Sequence, residues 1–337
     1  MKIFNVIRSH EWWAYKLPPL LAIGYATTIM TDTPLYKVAL WLIFLLCSLI
    51  IGAIYVSVIN DITDMDEDIA SGKSNRIQHL PKQYRWIIPA ICILLGIFFG
   101  YFLYPDVLSC FLYSLSWIVF SLYSIKPFRL KNRGILGVIA DGCGSHLFPS
   151  LLMVSSMSYV SNQQIDYIWF AAVGIWALAY GLRGILWHQF SDRENDIKVN
   201  LNTYASGVEP TEFNNKARFI FIVEIFALTI MLLKIHLIIT IVALIFYFIL
   251  IFLRYKINKT QVIIVLKSDD RPYQIIMADY YQMFLPISLL FAAILINIIN
   301  VTVLIIHISL FPYLLWLAIY DYAFFARAIV FKKHRNF

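Results

Sequence analysis

YKVALWLIFLLCSLIIGAIYVSVI, residues 36–59, runs straight into NDITDMDED, residues 60–68. The first stretch carries a single charge, Lys37, and exceeds the roughly 20 apolar residues that a helix needs to cross about 30 Å of hydrocarbon. The second sets five carboxylates, Asp61, Asp64, Asp66, Glu67 and Asp68, at the end of that span. A membrane helix that runs into a dense acidic block is the pattern from which the rest of the chain can be read.

Working outward, ten runs of this kind appear, at about 12–31, 36–59, 84–104, 107–124, 135–157, 165–189, 216–234, 236–254, 277–297 and 300–325. The first is expected to be short or broken, because Lys16 and the pair Pro18-Pro19 interrupt it. Of the 337 residues, 61% are hydrophobic and 14% charged, with a mean hydropathy of +0.73. Soluble domains are about a quarter charged, so the composition itself places the chain in a bilayer. No linker separates two cores, and residues 1–337 read as one all-α, polytopic transmembrane bundle.

The net charge of +7 and pI of about 9.1 would suit a nucleic-acid binder, but the distribution argues against one. With the N-terminus in the cytoplasm, 23 of the 27 Lys and Arg fall in the loops of that side. Only Lys37 and Lys234 lie at the opposite surface, while Lys16 and Arg183 lie within spans. The positive-inside rule then predicts an even number of helices with both termini cytoplasmic, in a bacterial inner (cell) membrane. MKIFNVIRSHEWWAYKLPPLL has no small-residue cleavage site after an apolar core, so the first helix is expected to stay as an anchor. Cys47, Cys92, Cys110 and Cys143 fall inside apolar runs without paired spacing and read as packing residues.

A second acidic cluster, SDREND at residues 191–196, follows the sixth run as the first follows the second. Both even-numbered runs end on the same side. If the helix of the second run continues, Asn60, Asp64 and Asp68 share one stripe with Asp61 adjoining; Asp192 and Asp196 are likewise spaced i, i+4. Carboxylates stacked in this way repel one another unless a cation lies between them. Mg²⁺ suits them, being held by one or two protein carboxylates and by substrate phosphates, so two facing half-sites could bridge a diphosphate. No glycine-containing calcium loop is present. Lys73 and Arg76 after the first cluster, and Lys126 after the fourth run, are the basic residues nearest the acids; fixed cations can stabilise the charge that develops on a departing diphosphate. Arg129, Lys131 and Arg133 read instead as orientation charges.

At this point the residues resemble a family. NDITDMDED is similar to the NDxxDxxxD motif of the UbiA superfamily of intramembrane prenyltransferases, and GKSNR to the basic segment that follows it. YSIKP is similar to the Tyr-Ser-Lys-Pro stretch at the end of that family's fourth helix. DRENDIKVNLNT resembles the second, DxxxD motif and its threonine, here Thr203. The likeness spans about residues 5–300; where the second motif commonly continues to a glycine, this chain has Asn200. It implies nine helices around a central cavity open to lipid, so the stretch at about 300–325 is an extra helix.

The resemblance further implies Mg²⁺ held by Asp61, Asp64 and Asp68 on one side and by Asp192 and Asp196 on the other, with Asn60 orienting a ligand or bound water. Lys73, Arg76 and Lys126 would contact the diphosphate of an isoprenoid donor, and Tyr123 would shield an allylic cation. The acceptor, lipid-soluble or aromatic, stays open. His188 lies on the Asp192 stripe as an acceptor or proton contact, and Arg183 either meets substrate or pairs with Asp141. Glu224 and Asp279 fit structural and functional roles equally. Phosphoribosyl transfer to a polyprenyl phosphate, an intramembrane terpene cyclase and, from another class, a transporter are the alternatives. Against the transporter, both acidic clusters lie at one surface rather than near the midplane.

Overall fold

In a computed structural model, which describes residues 8–72 and 75–334, the chain is a bundle of helices. The helices are α1 (Ser9–Met30), α2 (Leu35–Thr63), the short α3 (Met65–Ala70), α4 (Ile87–Leu103), α5 (Val107–Ser124), α6 (Ile135–Val160), α7 (Tyr167–Lys198), α8 (Pro210–Ile235) and α9 (Ile238–Ile257). After a polar loop come α10 (Tyr280–Ile296), α11 (Val301–Leu310) and α12 (Pro312–His334). Among the described residues six helices are long and apolar enough to cross a membrane: α2, α4 taken from Lys82, α5, α6, α7 and α9. The all-α expectation holds apart from one small element, a parallel pair formed by β1 (Gln261–Ile263) and β2 (Tyr273–Ile275) in the loop before α10.

Nine of the ten expected runs correspond to helical rods. The tenth differs: α11 and α12 meet at a bend of 86°. Phe311 stands before Pro312, whose ring excludes the helical conformation from the preceding residue, and Phe311 accordingly has φ −129° and ψ 54°. At 1.5 Å per residue, the 10 residues of α11 cover only about 15 Å, and α12 then leaves crosswise. Trp13 Nε1 donates to Leu310 O at 2.8 Å and Arg254 Nε to Asp321 at 2.7 Å, tying the pair to α1 and α9.

The first helix also departs from expectation, being continuous over 22 residues despite Pro18 and Pro19. It is enclosed: Leu17 through Thr28 are buried, and α6 and α10 pack along it. That tertiary contact offsets the backbone bonds the prolines forfeit. The aromatic centre of the bundle is built from Trp169, Trp176, Tyr247, Tyr280 and Tyr281, all buried. Ile91, Leu94, Ile97, Phe98 and Tyr101 on α4 are exposed instead, an apolar surface that suits lipid and would be a liability in water. At about 44 Å and 48 Å, α2 and α7 exceed a 30 Å hydrocarbon layer, so their last turns, which carry the acidic motifs, emerge at one end.

Candidate active site

The residues of both acidic motifs line a single cavity of about 1410 Å³ at that end of the bundle: Asn60, Asp61, Asp64 and Asp68 from one side, Asp192 and Asp196 from the other. The continuous helix expected through the first motif is interrupted at Asp64, which has φ −101° and ψ 0°. Arg129 Nη2 takes the Thr63 carbonyl at 3.3 Å and Asp64 Oδ1 at 3.2 Å, so a guanidinium occupies a carbonyl of the last turn. The helix restarts at Met65, and Asp68 N still reaches Asp64 O at 2.8 Å. The four side chains therefore stay on the cavity side although the rod is broken.

Cations from distant loops surround this cluster. Lys131 Nζ pairs with Asp64, and Arg129 Nη1 with Glu67 at 2.6 Å. Arg8 Nη1 donates to Asp61 Oδ1 at 3.2 Å, while Arg76 lies 4.0 Å from Asp61 and 3.3 Å from Glu11. The buried Asn75 donates to the Asp61 carbonyl at 2.7 Å and to Asp68 Oδ2 at 2.9 Å, and Ser124 donates to Asn60 Oδ1. The Arg129 hydrogen bond holds the Glu67 carboxyl below its ordinary range.

In the second motif Thr203 Oγ1 donates to Asp196 Oδ2 at 3.0 Å. Thr203 also forms a parallel bridge with Gly134, whose amide donates to Asn202 O at 3.1 Å. Gly134 adopts φ +56°, ψ −120°, a conformation open to glycine and strained for other residues. The loop behind the second motif is thus pinned to the start of α6, beside the turn that supplies Lys131. Tyr123, buried on α5, lines the same cavity as both motifs.

Other expected residues fall elsewhere. Lys126 is exposed and outside the cavity lining, contrary to expectation. The chain reverses after it through Arg129, which takes a left-handed φ of 38°, and it is Arg129 and Lys131 that meet the acids. Lys73 lies outside the described residues. Arg76 and His188 line the cavity.

Arg183 reaches the cavity wall, but its donors are turned to protein. It pairs with Glu224, not with Asp141, through Nε–Oε2 at 2.5 Å and Nη2–Oε1 at 2.6 Å, and it donates to Ile264 O and Ile276 O at 3.1 Å each. Asp141 accepts from Ser145 Oγ at 3.2 Å, and Asp279 pairs with Arg254 at 2.5 Å. Sequence reasoning missed Arg8, Arg129 and Lys131 as partners of the acids. Each lies in a loop-side segment where no period reveals which way a side chain turns.

The donor set suits a hard cation. Every candidate ligand offers oxygen, and Asp61 Oδ2 is buried without a hydrogen-bond partner. Among the described residues no three carboxylates or imidazoles gather at one point, as is normal where each ion takes one or two protein carboxylates and completes its shell with phosphate and water.

Comparison with known proteins agrees with this arrangement. The solved structures that resemble it include a UbiA homolog from Archaeoglobus fulgidus, with a TM-score of 0.56 at 16% identity over 87% of this chain and 99% of that one. Structures described as the Archaeoglobus fulgidus homolog bound to GPP and Mg2+, and to DMAPP and Mg2+, each match with a TM-score of 0.55 at 14% identity over the same shares. At such identity the likeness speaks for the fold alone. No curated protein matches the sequence. The model of the UbiA prenyltransferase family, however, matches residues 17–262, most of the chain, and the chain belongs to that family.

Proposed function

We propose that this prenyltransferase moves a prenyl group from a prenyl diphosphate to a lipid-soluble or aromatic acceptor, using Mg²⁺, at the cytoplasmic face of a bacterial inner membrane. The observation that carries this reading is the convergence of two acidic motifs, from α2–α3 and α7, on one cavity whose rim also holds Arg8, Arg76 and Lys131. The cavity continues from this polar end into the apolar bundle, so a donor can keep its tail in hydrocarbon while its head meets the charges.

Asn60, Asp61, Asp64, Asp68, Asp192 and Asp196 would hold Mg²⁺, which neutralises diphosphate charge when bound. Arg76 and Lys131 serve as donors to the diphosphate, with Arg8 beside Arg76; Lys73, outside the described residues, is proposed as a further donor. The donor's C1–O bond breaks, the electron pair leaves with the diphosphate, and those fixed cations stabilise the charge as it grows. The allylic cation left behind is screened from water by the aromatic wall around Tyr123. The acceptor's electron pair then closes the new bond to C1, and a proton departs from the acceptor.

Purified protein incubated with Mg²⁺, a panel of prenyl diphosphates and pooled acceptors should yield a prenylated product by mass spectrometry. A hydrocarbon or alcohol from donor alone would instead indicate a cyclase, and a phosphoribosylated lipid a sugar transferase. Asp64→Asn and Asp192→Asn should each abolish turnover in a folded protein; ordinary activity in either variant contradicts the site.

A further inference from the structure

α11 and α12 lie past residue 262, where the family match ends, and their course sets them apart from the rest of the bundle. α11 begins beside the far end of α2, where the Tyr36 amide donates to Asn300 Oδ1 at 3.0 Å. It then runs back along α1: His307 Nδ1 meets the Tyr25 hydroxyl at 3.0 Å, and Leu310 and Phe311 meet Trp13, through a hydrogen bond and through ring centroids 5.8 Å apart. With 10 residues, or about 15 Å, α11 stops inside a hydrocarbon layer of about 30 Å. The 86° bend then lays α12 across the axis of the bundle.

Two neighbours fix the level at which α12 lies. At its start is Trp13, about 6 Å along α1 from Ser9, and farther on it packs against Leu250, about 10 Å along α9 from Ile257. Both distances are measured from the end of the bundle that carries the acidic motifs. With 20 residues, or about 30 Å, α9 matches the hydrocarbon layer in length, so its end marks the edge of that layer. α12 therefore runs along that edge and a little inside it.

Three faces of α12 meet three environments. Ala318 and Phe325 pack with Leu250 and Met283, and the Tyr322 hydroxyl donates to the Phe246 carbonyl. Tyr313, Leu314, Leu317 and Asp321 line the cavity. The third face, with Trp316, Ile319, Tyr320 and Phe324, is between 45% and 60% exposed or slightly more, Trp316 reaching 61%. Its rings form a continuous stripe, Trp316 stacking on Tyr320 at 5.6 Å and Tyr320 on Phe324 at 6.5 Å. That face carries no charge until Arg327, one turn past Phe324 and exposed. Water is a poor environment for three stacked rings. Trp and Tyr gather where a ring can sit in hydrocarbon and its N–H or O–H can reach water, and an arginine there can extend to phosphate. A helix lying in the plane of a bilayer sinks its apolar face about 5–10 Å into this boundary, the level found here.

We propose that α12 is an in-plane helix seated in the head-group boundary of the bilayer, with the Trp316, Tyr320 and Phe324 stripe held in phospholipid and the Tyr313, Leu314 and Leu317 side closing the cavity from that lipid.

The test uses the full chain, with Cys47, Cys92, Cys110 and Cys143 replaced by alanine, in nanodiscs of phosphatidylcholine and phosphatidylglycerol. Trp316→Cys, Tyr320→Cys and Phe324→Cys, all at exposed positions, each carry one nitroxide, and EPR power saturation with oxygen and with a nickel chelate reads its depth. Leu94→Cys, Ile97→Cys and Tyr101→Cys on the exposed face of α4 give the reference series. From Leu94 to Tyr101 the depth should change by about 10 Å, whereas the three α12 labels should agree within about 3 Å and lie about 5–10 Å inside the head-group level. A steady change of about 12 Å from position 316 to 324 would make α12 a spanning helix, and labels as open to the nickel chelate as an aqueous loop would put the stripe in water or against another protein. Either result overturns the proposal. In the protein with its native cysteines, Trp316→Phe should remove more of the fluorescence quenched by lipids brominated near the head group than by lipids brominated near the chain ends; equal or opposite losses overturn it as well. Depth is read without turnover, so the outcome is independent of the prenyl-transfer reading.

Discussion

Arg183 could be a substrate contact or a fastener, and one pair of substitutions decides between them. Its guanidinium and the Glu224 carboxylate are 1% and 0% exposed, joined by two hydrogen bonds, with Tyr281 OH adding a third to Glu224 at 2.8 Å. Arg183 also clamps the Ile264 and Ile276 carbonyls, which lie just past β1 and β2. In Arg183→Met both carbonyls lose their donor and Glu224 is left as an unpaired buried charge, an effect worth about 3–5 kcal/mol on its own. In Arg183→Met/Glu224→Leu the carbonyls remain unserved but no charge is stranded. The double variant should therefore be more stable than Arg183→Met by about 3–5 kcal/mol, or roughly 6–10 °C at about 2 °C per kcal/mol. Thermal melts of detergent-purified protein, followed by loss of monodisperse material, read this directly. Because the donors of Arg183 face protein, the double variant should also keep prenyl transfer within a few-fold of wild type. A double variant no more stable than Arg183→Met refutes the pairing argument, and one that is stable but inactive refutes the assignment of Arg183 as a fastener.

Chelation by EDTA should stop turnover and added Mg²⁺ restore it; indifference to the chelator excludes the proposed metal site. Lys131→Met should raise the donor KM at least tenfold, because its buried ammonium lies against Asp64 in the cavity wall, whereas the exposed Lys126→Met should change it less than twofold; the reverse order would mean that the turn after α5 is misassigned. Arg129 depresses the Glu67 carboxyl, so this contribution is fully present above the ordinary glutamate value of about 4.3 and is lost as pH falls through the lower folded-state value. Wild type should accordingly lose thermal stability on acidification below about pH 4.3, and Glu67→Gln should flatten that limb; parallel melting curves from pH 6 to pH 3 would count against the pair.

The sequence determined the large-scale answer through properties that survive without coordinates. Apolar run length fixes how many helices can cross, and run parity brings Asp64 and Asp192 to one end, because each crossing reverses the chain. The motifs themselves are local, so Asn60, Asp61, Asp64, Asp68, Asp192 and Asp196 were legible as a set, and so was Tyr123 near them. Side-chain direction in turns follows no period. Lys126 and Lys131 are therefore indistinguishable by composition, and only the reversal at Arg129 turned one out and the other in. The Arg183–Glu224 pair links positions 41 residues apart on neighbouring helices, a relation set by how α7 packs on α8. The last run reads in the sequence as one helix over about 300–325, and only the structure shows it bent by 86° at Pro312, with α11 tied to α1 and α12 to α9. The meeting of His146, Tyr180 and Gln282 likewise needed three helices in register. Hydrophobic length and charge order are one-dimensional quantities that a sequence carries outright, whereas the partner of a buried charge is decided only when distant segments pack.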